Sequence, residues 1–144
     1  LKELSNETGA TVVAADKAYD VDMDIYAPCA LGGTVNSDTL PKLNCSIIAG
    51  AANNQLWDEV VHGNMCKERG IIWAPDFLIN AGGLINVYSE LHGYNREKAL
   101  AQAEKIYDLT TNILKQAKKD NTTTIEAAKS MAKKRIADKV ASTK

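Results

Sequence analysis

The sequence predicts an α/β fold: a small parallel sheet joined by helical crossovers and followed by long carboxyl-terminal helices. Three observations point to it. Short runs in the first two-thirds are apolar at consecutive positions rather than alternating, the pattern of parallel strands covered on both faces. Three of their ends lie 22 and 25 residues apart, too far for hairpins and suited to crossover connections. From Gly82 onward the pattern shifts to a helical period, with apolar residues recurring every third or fourth position.

The elements follow in chain order. Ala10–Ala14 (ATVVA) follows Gly9 and reads as a strand. Asp24–Ala27 (DIYA) is a short strand ended by Pro28, and Cys45–Ala49 (CSIIA) is a strand ended by Gly50. Ile71–Ala74 (IIWA) lies between Gly70 and Pro75 and reads as a fourth. Ser37–Leu43 and Trp57–Arg69 are the expected crossover helices, with Ser37 or Asp38 capping the first and Gly70 closing the second. Asn95–Lys119 carries Leu100, Ala103, Ile106, Tyr107, Leu109, Ile113, Leu114 and Ala117 at helical spacing. Asp120-Asn121 breaks that helix. A last helix then runs from Thr122–Thr124 to about Val140, with Glu126 three residues after Thr123 as a capping box and Ile125, Ala128, Met131, Ile136 and Val140 on its buried face.

Composition narrows the function. The chain has 144 residues, 45% hydrophobic and 24% charged, the make-up of one globular domain. No apolar run approaches the ~20 residues needed to cross a bilayer, and no basic-then-apolar leader opens the sequence, so neither membrane insertion nor export is expected. Cys29, Cys45 and Cys66 show no CxxC spacing, which suits free thiols in a reducing cytoplasm. A net charge of −1 predicts no strong pull toward nucleic acid. Residues 98–144 hold 11 Lys and Arg against 5 Asp and Glu, but no nucleic-acid motif accompanies them, so they read as solvated helix faces. His62 and His92 have no metal-ligand spacing around them, and no metal site is expected.

In a parallel sheet, ligands bind beyond the carboxyl ends of the strands. Three such ends are readable: Pro28–Gly33, Gly50–Gln55 and Pro75–Gly83. They are built mainly from Gly, Ala, Pro, Cys29 and several carboxamides, with a few larger apolar residues, no Lys, Arg or His, and Asp76 as the only acid. Small residues let a flat ring approach the backbone, and Asn side chains offer both donors and acceptors to a neutral amide. That lining suits a nicotinamide ring. It does not suit phosphoryl transfer, which needs cations, or hydrolysis, since no His–nucleophile pair lies close in sequence. Other readings exist for these residues: Cys29 as a packed thiol, Asn53 and Asn54 as turn residues, Asp76 as a helix cap, and both tryptophans as packing groups.

The segments DIYAPCALGG, IIAGAANNQL, GIIWAPDFLINAGGLINVYSELHGYNREKAL and AAKSMAKKRIA resemble, in order and spacing, the carboxyl-terminal part of the leucine dehydrogenases in the Glu/Leu/Phe/Val dehydrogenase superfamily. The resemblance runs from about Gly9 to about Ala137. It implies the second half of a Rossmann-like nucleotide-binding domain, in residues 1–93, followed by a helical section in residues 94–144. That family reads its dinucleotide with a GxGxxG-type loop, which none of the nine glycines supplies. Its acid/base lysines lie on a separate domain, so no catalytic residue is expected in this chain and the isolated chain is expected to be inactive.

The same resemblance implies roles. Pro28, Cys29 and Ala30 would border the nicotinamide ribose and ring. Asn53 or Asn54, with Asn54 preferred, would act near the reacting centre, and Asn80 would hold the nicotinamide carboxamide. Leu84 and Val87, three apart on one helix face, would line the pocket for an aliphatic side chain. NAD is the implied cofactor, and an amino acid and its 2-keto acid are the implied substrates, interconverted by reversible oxidative deamination. A homo-oligomer is implied for the full-length enzyme. A phenylalanine, valine or glutamate enzyme of the superfamily, or a non-catalytic binding or assembly remnant, are the alternatives.

Overall fold

The computed structural model describes residues 1–142. Strands β1 (Ile25–Tyr26), β2 (Ile47–Ile48) and β3 (Ile72–Trp73) form a parallel sheet in the order β1-β2-β3. Helices α1 (Lys2–Thr8), α2 (Glu59–Glu68), α3 (Asp76–Ile79), α4 (Gly82–Leu91), α5 (Arg96–Asp120) and α6 (Thr124–Ala141) complete it, with one 3₁₀ turn at Ala15–Asp20. This is the α/β arrangement read from the sequence, with the long helices at the carboxyl end.

The register places Ile25, Ile47 and Ile72 in one row and Tyr26, Ile48 and Trp73 in the next. Because side chains alternate across a strand, the two rows face opposite sides. The Tyr26 row meets the core: Ile48 and Trp73 pack with Val35, Leu40, Leu43, Leu56, Cys66 from α2 and Ile125 from α6. The Ile25 row is different. Ile25 and Ile72 are about half exposed and Ile47 is only partly covered. The sequence pattern predicts cover on both faces. The structure supplies it fully on one, because α2 and α6 both pack with the Trp73 row, and the Ile25 row is only partly covered.

Two predicted elements are absent. Residues 10–14 form no strand and lie exposed. A strand is held by ladder bonds to a neighbour, and β1 pairs only with β2, so ATVVA finds no partner among the described residues. Residues 37–43 form a run of turns instead of a helix. Pro41 has no N–H to continue a helical ladder. Asn36 caps the run, its Oδ1 accepting from the N–H groups of Asp38 (2.9 Å) and Thr39 (3.0 Å). Arg69 then donates to the carbonyls of Leu40 and Leu43 and clamps the turns against the core.

The other predicted helices form, with local caps that include two not read from sequence, Asp58 and Asn95. Asp58 caps α2 by accepting from the N–H groups of Val60 and Val61, and Gly70 leaves it at φ +70°. Asn95 caps α5, and Asn121 ends it at φ +52°. Thr123 and Glu126 form the expected capping box of α6. The tail is tied back to the sheet: Thr124 Oγ1 donates to the Trp73 carbonyl (2.7 Å), and Lys129 pairs with Glu59. A second core of Ile113, Ala117, Ala127 and Ala128 closes α5 on α6. Farther out the predicted apolar faces are uncovered. Tyr107, Ile136 and Val140 are largely exposed, because α5 and α6 bury each other only near their connection.

Candidate functional site

Parallel strand order brings the three loops to one edge of the sheet, where backbone bonds join the first two and side chains tie in the third. The Ala52 N–H donates to the Pro28 carbonyl (2.9 Å), and the Gly33 N–H donates to the Asn54 carbonyl (2.7 Å). The Ala51 N–H points at Cys29 Sγ (3.5 Å). The approach is close enough to require glycine: a Cβ on Gly50 would lie 2.2 Å from the Pro28 oxygen, and one on Gly32 would lie 2.6 Å from the Asn53 oxygen.

Pro28 is buried beneath this edge, while Cys29 and Ala30 are exposed on the first loop. Asn53 and Asn54 are exposed on the second, and Asn54 sits at φ +52°, a left-handed conformation that Asn tolerates better than most residues. Asn80 follows α3, and its Nδ2 donates to Asn53 Oδ1 (2.5 Å) and to the Ala51 carbonyl (3.4 Å). The structure therefore brings Pro28, Cys29, Asn53, Asn54 and Asn80 to one place. Leu84 and Val87 begin α4 just beyond, 72% and 55% exposed, and share that open face with Leu91. Clefts of about 870 Å³ between α5 and α6, and of about 610 Å³ along the outer edge of β3, involve none of these eight residues.

Two residues under the loops were not singled out from sequence for this place. Gln55 is fully buried. Its Nε2 donates to the carbonyls of Gly50 (2.6 Å) and Ala52 (3.0 Å), and its Oε1 accepts from Trp73 Nε1 (3.3 Å). Its backbone N–H donates to the buried carboxylate of Asp76 (2.7 Å). Asp76 is therefore not the cap of α3. Pro75 holds that position, and Asp76 bonds across to the second loop instead. The available signal was a carboxamide and an acid at neighbouring strand ends in otherwise apolar surroundings. Of the tryptophans, Trp73 packs as expected. Trp57 is largely exposed, its ring edge covering Gly33.

The fold also creates a pair that sequence spacing hides. Ser37 Oγ lies 3.1 Å from Nε2 of buried His62. Nδ1 of the same ring lies 2.9 Å from the Asp58 N–H and 3.0 Å from the Asp58 carbonyl, so the surroundings accommodate either ring tautomer. No carboxylate is among the hydrogen-bond partners of His62, so the pair is not a Ser–His–acid triad. Cys66 is no nucleophile either: burial pushes its thiol up to about 11. Among the described residues, no cluster of His, Cys, Asp and Glu could hold a metal ion, and no helix is long and apolar enough to cross a membrane.

Known proteins share this arrangement. The profile of the Glutamate/Leucine/Phenylalanine/Valine dehydrogenase family matches residues 1–143. The L-tryptophan dehydrogenase of Nostoc punctiforme is 52% identical over 135 residues, which is 94% of this chain and 38% of that enzyme. Its crystal structure superimposes with a TM-score of 0.92, covering 95% of this chain and 42% of that one. The leucine dehydrogenase of Bacillus cereus is 51% identical over 91% of this chain and 36% of its own length. The phenylalanine dehydrogenase of Lysinibacillus sphaericus is 45% identical over 94% of this chain and 36% of its own. The chain thus spans well under half the length of these relatives and corresponds to their carboxyl-terminal part. With a matching profile along nearly its whole length and the Rossmann-like parallel sheet in place, this chain belongs to the Glutamate/Leucine/Phenylalanine/Valine dehydrogenase family.

Proposed function

We propose that this chain is the nicotinamide-facing part of an NAD-dependent amino-acid dehydrogenase that acts on branched-chain aliphatic substrates by reversible oxidative deamination. The observation that supports it best is the Asn53–Asn80 pair. That bond uses the Asn53 oxygen and one N–H of Asn80. It leaves the Asn53 amide N–H groups as donors and the Asn80 oxygen as an acceptor, the complement of a primary carboxamide. The absence of Lys, Arg and His from the three loops favours a neutral ring over a phosphate at this edge.

When bound, a nicotinamide dinucleotide would supply the two-electron acceptor. The chain's own residues bind and orient. Pro28, Cys29 and Ala30 border the ribose and ring. Asn80 would hold the carboxamide, and Asn54, in preference to Asn53, would act near the reacting centre. Leu84 and Val87 receive the substrate side chain, and the proton-handling lysines belong to polypeptide outside this sequence. In this reading residues 1–93 form the partial nucleotide-binding unit and 94–144 its helical section. The intact enzyme is a cytoplasmic homo-oligomer.

The relatives are named for tryptophan, leucine and phenylalanine, so side-chain preference is the finer question. One methylene in an apolar pocket discriminates by only about 1–3 kcal/mol, so leucine, isoleucine and valine should overlap as substrates. The test is an amino-acid panel with the full-length polypeptide carrying this sequence. Aliphatic substrates should lead, and Leu84→Gly should shift preference toward aromatic ones. An unchanged ranking in that variant would remove Leu84 from the pocket, and no NAD reduction with any amino acid would end the dehydrogenase reading.

A further inference from the structure

We propose that Gln55 is a positioning residue, whose buried carboxamide and backbone N–H set where Asn53, Asn54 and Asn80 stand. Every polar atom of its side chain is used. Nε2 turns the carbonyls of Gly50 and Ala52 inward, and Oε1 is held by Trp73 Nε1 on β3. Its N–H is held by Asp76 at the start of α3, and its carbonyl accepts from the Val35 N–H (3.0 Å). One residue therefore fastens the second loop to β3, to α3 and to the segment that follows the first loop.

The consequence for the exposed amides is direct. Asn53 and Asn54 lie between the Ala52 and Gln55 anchor points. Asn80 is four residues beyond Asp76, and its N–H donates to the Asp76 carbonyl (3.0 Å). Fixing Gln55 against Asp76 fixes the separation on which the Asn53–Asn80 bond depends. An apolar side chain of equal size would fill the space and leave two inward carbonyls and an indole N–H unpaired. A glutamate would fill it with acceptors only, against the same carbonyls and near the Asp76 carboxylate.

The functional weight of this proposal rests on the nicotinamide reading above, but its geometry can be tested separately. The experiment compares the 144-residue chain with Gln55→Glu and Trp73→Phe by ¹H–¹⁵N NMR, with nicotinamide mononucleotide as the probe. In Gln55→Glu the Asn80 side-chain amide protons should exchange with water about tenfold faster and the probe should bind about tenfold more weakly, while amides of α5 and α6 keep their exchange rates. Trp73→Phe removes the N–H that orients the carboxamide, together with part of a ring packed in the core, and should loosen the same Asn80 protons to a smaller degree. It decides the question if Gln55→Glu does not fold. Unchanged Asn80 exchange in the folded variants, or acceleration spread evenly over all amides, would overturn the positioning role. Probe binding as tight in Gln55→Glu as in the parent would overturn it too. A parent chain that ignores the probe while Gln55→Glu still frees Asn80 would sink the nicotinamide reading and leave the positioning role standing.

Discussion

Asn54 combines a backbone duty with a proposed chemical one, and the two can be separated. Its φ of +52° means that Asn54→Ala loses the side chain and also strains the backbone, at about 1–2 kcal/mol for a left-handed residue with a Cβ. Asn54→Gly removes the same side chain without that strain. We therefore expect Asn54→Gly to melt close to the parent and Asn54→Ala to melt several degrees lower, with both cutting turnover in the full-length enzyme. Equal melting temperatures would show that the left-handed turn relaxes. The cysteines divide in a similar way. Cys29 is exposed and Cys66 is buried with its thiol pushed up to about 11. An alkylating agent at mild alkaline pH should modify Cys29 first and reach Cys66 only on unfolding. If Cys66 reacts as fast as Cys29, its burial is wrong. Cys29→Ser should leave most activity intact if the thiol only borders the ring.

The capping box of α6 sets a measurable stability. Thr123 is buried and its hydroxyl accepts from the Glu126 N–H (3.2 Å), so Thr123→Ala should cost about 1 kcal/mol, whereas Thr123→Ser should cost little. The Thr123 backbone N–H, and then its hydroxyl, hold the Glu126 carboxyl below the usual carboxylate range. A lowered native value means that this contribution is present above the ordinary carboxylate pKa and is lost as pH falls through the native one. Thermal melts of parent and Glu126→Ala should therefore converge on acidification, and a constant gap would separate the Glu126 charge from the cap. This helix was legible in sequence because its stop and start signals are local: Asp120-Asn121, then Thr123 with Glu126. Trp57–Arg69 was legible through Gly70 at its end, while its start at Glu59 depends on the Asp58 cap, which was not read. Residues 10–14 were not, since a strand needs a neighbour that spacing cannot supply. Pro41 marked the turn run at 37–43 but was outweighed by the expectation of a crossover helix. The site divided along the same line. Exposed amides on loops could be read residue by residue, whereas Gln55 and Asp76 matter through bonds that exist only after β2 and β3 are paired.

Two features act on the molecule as a whole. Because the Cys66 thiol is raised above its unfolded value near 9, the folded state holds its proton longer than the unfolded chain does. That contribution is complete below pH 9 and is lost as pH rises toward about 11, so Cys66→Ala should flatten the alkaline limb of the stability curve. A parallel loss in both proteins would place the alkaline sensitivity elsewhere. The open row of Ile25, Ile47 and Ile72, with the uncovered ends of α5 and α6, presents apolar area that a covered parallel sheet would not. The folded chain should bind an apolar dye, and Ile25→Lys with Ile72→Lys should reduce the signal without a lower melting temperature. A fall in melting temperature would mean that this face is already packed.

The contact between Gly50 and Pro28 also limits redesign. Where a methyl group would collide with main chain at 2.2 Å, main chain packs directly on main chain. Substitution can add nothing there. In the proposed reading, ligand preference is retuned from Cys29, Ala30, Leu84 or Val87, because Gly50 and Pro28 leave no room for a side chain between them.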